Sequence, residues 1–112
     1  MAPPLRLLFV RGPRANSWRA AFDIVQAAAA LDLPVELAFA GAGLGLILPD
    51  SEGAHGQSAR GAYASLELLG IETVYALANG QSVANARSVL PVSWLQPSSW
   101  QSWLRRAPLQ VW

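Results

Sequence analysis

From Ser58 to Ala78 the spacing of apolar positions changes once, and the change falls on a glycine. Ala59, Ala62, Tyr63, Leu66 and Leu69 recur at three- and four-residue steps. That spacing places them on one stripe of an α-helix, with Arg60, Ser65 and Glu67 off it. Gly70 ends the helix, because glycine takes the left-handed closing conformation without a Cβ clash. Thr73 to Ala78 is then apolar on both alternating faces and rich in β-favouring types, the pattern of a strand covered on both sides.

The same reading runs along the rest of the chain. Leu5 to Val10 reads as a first strand, followed by a polar turn from Arg11 to Ser17. Asn16 or Ser17 is placed to cap a helix whose buried stripe is Trp18, Ala21, Phe22, Val25, Ala28 and Ala29, and Asp32-Leu33-Pro34 ends it. Val35 to Ala40 reads as a second strand. Gly41 to Pro49 reads as a tight turn leading into a short apolar helix, and Asp50 to Gly56 as a polar loop. After the third strand come a turn at Asn79 to Ser82, a short helix from Ser82 to Arg87 and a fourth strand from Pro91 to Leu95. The last helix, Pro97 to Arg106, has Ser98 or Ser99 near its cap and two arginines at its end; a terminal strand runs from Pro108 to Trp112.

Strands joined by helices of this length take right-handed crossovers to parallel neighbours. The reading is therefore an α/β fold: a single domain over residues 1–112, a three-layer sandwich around a five-stranded parallel sheet, in the order 2-1-3-4-5.

Composition sharpens this picture in two ways. Hydrophobic residues make up 53% and charged residues 13% of 112 residues, so the surface is short of charge and apolar area is left over for another chain. Leu44, Leu46 and Ile47 in the glycine-rich segment, with Trp100, Trp103 and Trp112, are the expected outlets, and a homo-oligomer is the expected state. The net charge of +1 is too balanced for a nucleic-acid footprint, and no apolar run is long enough to span a bilayer. The N-terminus lacks the pattern of a signal peptide, so a cytoplasmic protein is the expectation.

Candidate chemistry is sparse. The chain has no cysteine and one histidine, His55, in a glycine-rich stretch with no partner in view. Thiolate catalysis is excluded, no metal site or cofactor is expected, and no catalytic constellation emerges. Gly41, Gly43 and Gly45 alternate as in a phosphate loop but follow the second strand and lack the G-x-G-x-x-G spacing, so close packing is the better reading. A parallel sheet binds ligands at the carboxyl ends of its strands. The loops after strands 1 and 3 hold Arg11, Arg14, Asn16, Ser17, Asn79 and Ser82, a candidate site for a small anion or nucleotide.

Two strings carry a resemblance. Phe39 to Pro49 is similar to a strand-then-"DGV…LLP" segment, and Ala59-Arg60-Gly61-Ala62-Tyr63 through Leu68-Leu69-Gly70-Ile71 to an "AR-x-Y…LLGL" helix end, both of the DsrE/DsrF/DsrH superfamily, which includes the TusB, TusC and TusD sulfur-relay subunits. The TusC/DsrF-like branch is the closest, and the resemblance extends from Leu5 to Trp112. It implies a flavodoxin-like sandwich and a place among proteins that pass persulfide sulfur in tRNA 2-thiolation or sulfur oxidation. Ala42 stands where the family has Asp, and Ala78 and Asn79 stand where the sulfur-carrying subunit has its cysteine. The resemblance thus implies a non-catalytic structural subunit, partnered by cysteine-bearing TusD- and TusB-like chains.

Overall fold

A computed structural model describes residues 3–48, 53–77 and 88–112. Its five strands are β1 (Leu5–Phe9), β2 (Val35–Phe39), β3 (Thr73–Leu77), β4 (Ser93–Leu95) and β5 (Gln110–Val111). Its α-helices are α1 (Ser17–Ala30), α2 (Gly53–Ala64) and α3 (Pro97–Arg106), with 3₁₀ segments at Gly41–Leu46 and Ser65–Leu69. The sheet is parallel throughout, as read from the sequence.

The strand order is β4-β3-β2-β1-β5, which replaces the expected 2-1-3-4-5. The physical reason lies in β2. Leu37, Ala38 and Phe39 are 0% exposed, which needs a neighbour on each side as well as cover on each face, whereas the expected order would have left β2 at an edge. Crossovers from β1 to β2 to β3 all step in one direction, so their right-handed connections lie on one face of the sheet. The step from β4 to β5 runs back across the sheet and puts α3 on the other face.

Alternate strand residues serve the two faces. Leu7, Phe9, Leu37, Phe39, Val74 and Ala76 pack with Trp18, Ala21 and Val25 of α1, and with Ala59, Tyr63 and Leu66. The Phe9 and Phe39 rings stack at 4.8 Å, and Tyr63 meets both edge-on. Leu8, Ala38 and Ala40 instead face Trp100 and Trp103 of α3. The predicted stripe of α2 is thus the buried one at Ala59, Tyr63 and Leu66, but Leu69 is half exposed, because the 3₁₀ segment advances the chain faster than an α-helix. Gly70 closes that segment at φ 81, as expected of it.

Several local expectations change. Asn16 is itself helical and neither it nor Ser17 caps α1 through a side chain; a backbone turn from Gly12 to Ala15 leads into the helix instead. Gln96 precedes α3, with Pro97 in its first turn, and Ser98 and Ser99 are already helical. The helix before Gly70 begins at Gly53, so His55 and Gly56 belong to it rather than to a loop. Asp50 to Glu52, Ala78 to Ser82 and the short helix expected to Arg87 lie outside the described residues.

The residues expected to bring apolar area to the surface are largely internal. Leu44, Leu46, Ile47, Trp100 and Trp103 are all buried, and Trp112 is half-buried against the larger cluster. The glycine-rich segment folds inward because Gly43 lies against the end of β1: a Cβ there would sit 2.0 Å from the Phe9 carbonyl oxygen. Leu44, Leu46 and Ile47 thereby reach the core, and none of them is a surface anchor.

Gly43→Ala should lower stability by about 3 kcal/mol, because backbone has to separate from backbone. Gly61→Ala, in the open on α2, should raise it by roughly 0.5–1 kcal/mol. Chemical denaturation of the two variants checks both signs. Tyr63 is fully buried and donates to the Trp18 carbonyl at 3.0 Å, and burial pushes its pKa well above the usual 10.0. The unfolded chain loses that proton near pH 10 while the folded chain keeps it, so stability falls as pH rises past about 10, by up to about 1.4 kcal/mol per unit. Tyr63→Phe should cost about 1 kcal/mol at neutral pH and flatten the alkaline loss, as read from denaturation midpoints between pH 9 and 11.

Candidate functional site

At the carboxyl edge of the sheet, the turn between β1 and α1 holds Arg11, Arg14 and Asn16, all exposed, and the half-buried Ser17. The observed strand order separates this turn from the end of β3, because β2 and the Gly41–Leu46 segment lie between them. Asn79 and Ser82 lie outside the described residues. The main chain here is largely committed: the Val10 and Arg11 amides donate to the Trp112 carbonyl at 2.9 and 3.3 Å, and the Ala40 amide donates to Phe9 at 3.0 Å. An anion would meet arginine side chains, but not the free amides of these three residues.

One dense polar cluster among the described residues was passed over in the sequence. Arg6 of β1 is 1% exposed, under α3. Its guanidinium donates to the main-chain carbonyls of Trp103 and Ala107 at the last turn of α3, and lies 4.1 Å from the Trp103 ring centroid. Helix ends leave carbonyls without partners and carry partial negative charge, so a cation there satisfies both. The register sets Arg6 beside Glu36 of β2, whose Oε1 is 3.6 Å from Arg6 Nε. The same oxygen accepts from Trp103 Nε1 at 3.0 Å and from Arg106. The signal was present: a lone base in an apolar strand and a lone acid at the matching position of the next. Beside this cluster a cavity of about 220 Å³ is lined by Tyr75, Leu95, Ser99, Ser102, Trp103 and Arg106. Apart from Arg6 Nε, which is buried without a hydrogen-bond partner, the cluster's donors fasten α3 to the sheet, so it is structural.

The amino edge of the sheet is different in character. α1 ends in a left-handed turn at Asp32, with the Leu33 amide donating to Ala28 and the Asp32 amide to Ala29; the segment before β3 ends in the same way at Gly70. These turns flank a cavity of about 280 Å³ lined in part by Leu33, Leu69 and Glu72. Leu68 is 88% exposed, Leu31 72%, and Leu33 and Leu69 44% each; Asp32 and Glu72 line the cavity with Leu33 and Leu69, while Glu67 lines another with Ser88 to Trp94. Exposed leucines on neighbouring turns are the kind of feature that marks an interaction surface. Among the described residues, no group of three or more His, Cys, Asp or Glu side chains comes together as metal ligands would, and no helix is long and apolar enough to cross a membrane.

Arg6→Ala should cost roughly 3 kcal/mol, leaving two helix-end carbonyls without their donor. It should also expose Trp103, read as a red shift of tryptophan emission. Arg106→Ala, on the solvent side of the same carboxylate, should cost less than about 1 kcal/mol in the same denaturation series.

A scan of protein-family models finds none that matches this chain, and a search of curated proteins finds no match either.

Proposed function

We propose that this chain is a non-catalytic, TusC/DsrF-like structural subunit that lends surface to an oligomer whose persulfide chemistry another chain performs. Gly43 is the observation that carries the reading. It is the glycine that the resembling segment shares with the superfamily's Asp-Gly turn, and a Cβ there would strike the Phe9 carbonyl oxygen at 2.0 Å. The two resembling strings also pack together: Phe39, Leu44, Leu46 and Ile47 from the first share one core cluster with Ala59, Tyr63 and Leu66 from the second. A persulfide needs a thiolate, and this chain has no cysteine, so the sulfur-bearing residue belongs to a partner. Cysteine-bearing TusD- and TusB-like subunits, copies of this chain, or both are the partners, in a cytoplasmic sulfur relay for tRNA 2-thiolation or sulfur oxidation. The Leu31, Leu33, Leu68 and Leu69 surface replaces the buried tryptophans as the place where they meet it. A small-anion site has less behind it, since the Val10 and Arg11 amides are already bonded.

Incubated with a cysteine desulfurase and radiolabelled cysteine, the chain alone should carry no covalent sulfur. With a cysteine-bearing DsrE-like subunit it should co-purify, and the label should sit on that subunit's cysteine. Label on this chain, or failure to co-purify with any such subunit, would overturn the proposal.

A further inference from the structure

The cavity at the amino edge combines features that select the chemistry of an occupant. It opens between two helix ends. α1 closes with the Asp32 amide donating to Ala29 and the Leu33 amide to Ala28; the 3₁₀ segment closes with the Gly70 amide donating to Glu67 and the Ile71 amide to Leu66. Bonds of this kind satisfy earlier carbonyls and leave over the last two of each helix. Pro34, four residues past Ala30, has no amide to offer. Among the described residues no loop amide donates to the carbonyls of Ala30, Leu31, Leu68 or Leu69, so both helix ends bring partial negative charge to this edge. Asp32 and Glu72 line the same cavity, and among the described residues no base does. Arg6 and Arg106 lie on the α3 side of the sheet, where Glu36 pairs with both.

The rim of this negative cavity is apolar. Leu33 and Leu69 line it while 44% exposed, and Leu31 and Leu68, next to Asp32 and Leu69 in the chain, are more exposed still. At about 280 Å³ the cavity is smaller than the roughly 300–1,000 Å³ of sites that enclose a small molecule. A small cation would leave the leucines in water, whereas a long basic side chain on an apolar segment uses both features. The chain carries its own precedent at the end of α3, where Arg6 donates to two helix-end carbonyls beside the carboxylate of Glu36. We infer that the amino-edge cavity receives an arginine side chain from an apolar segment of a partner protein, held by Asp32 and Glu72, with the flanking side chains on the exposed leucines. Arginine suits it because a planar fork donates to several acceptors at once. The inference rests on the reading of this surface as the place where partners meet the chain, and names the chemistry they present.

Two-dimensional NMR of the isotope-labelled chain tests this with three blocked pentapeptides, at millimolar concentration and low salt: arginine between pairs of leucines, citrulline between the same leucines, and arginine between pairs of glycines. The first should shift the amides of Leu33, Gly70, Ile71 and Glu72 to saturation, and added salt should weaken it. The other two should bind about tenfold more weakly or not at all. Asp32→Asn with Glu72→Gln should weaken the first peptide by about tenfold or more. Circular dichroism should show that variant folded, since Asn tolerates the left-handed conformation that Asp32 holds at φ 57. No shift at these amides, equal binding of the citrulline or glycine peptide, or undiminished binding by the folded double variant would each overturn the inference. The sulfur-transfer assay above does not depend on which side chain the partner presents. A chain that joins a cysteine-bearing subunit but ignores the peptide would sink this contact and leave the proposed function standing, and the reverse result would do the opposite.

Discussion

A guanidinium buried beneath a helix is the constraint on which one whole layer of this protein depends. Removing a charge from water costs several kcal/mol unless strong partners replace the lost hydration. Arg6 finds those partners only when α3 is docked, because the helix-end carbonyls of Trp103 and Ala107 are its acceptors and the Trp103 ring lies against it. The sheet face under α3 has no second described helix to share its burial. Small residues at Ala38 and Ala40 let the tryptophans sit low, and the charge cluster fixes where along the sheet the helix ends.

The opposite face is held by shape. Phe9, Phe39 and Tyr63 interlock with α1 and α2, and the glycine-rich segment closes over the end of β1 at a distance that no side chain permits. The two faces therefore tolerate change differently. One absorbs conservative changes in hydrophobic volume but no Cβ at Gly43; the other absorbs volume more readily but no loss of a charge partner.

Much of the fold was legible because periodicity reports burial directly. The stripe from Ala59 to Leu66, the left-handed stop at Gly70 and the limits of the last helix all follow from local spacing. Strand order was not legible, since it depends on which strand is buried from its sides, and alternation reports faces only. The tryptophans and the Leu44–Ile47 run misled because composition counts apolar residues without saying how closely backbones approach; Gly43 makes that approach possible. Little of the candidate surface was legible either. Leu68 lies off the predicted stripe, but spacing along one helix does not say that its exposure is shared with Leu31 and Leu33 of another. The anion-binding reading of Arg11 and Arg14 assumed that strands 1 and 3 were neighbours, and β2 lies between them.

The pairing of β5 with β1 has a temporal meaning. β1 to β4 pair in sequence order, each new strand adding beside the last, so most of the sheet can assemble as the chain emerges from synthesis. α3 and β5 come last and return to the first strand, closing contacts about a hundred residues apart in sequence. Until they arrive, one face of the sheet stands open with Arg6 still in water, and that hydrated charge in the middle of an apolar strand opposes premature pairing or aggregation there. The residue that fastens the finished fold thus also guards the unfinished one.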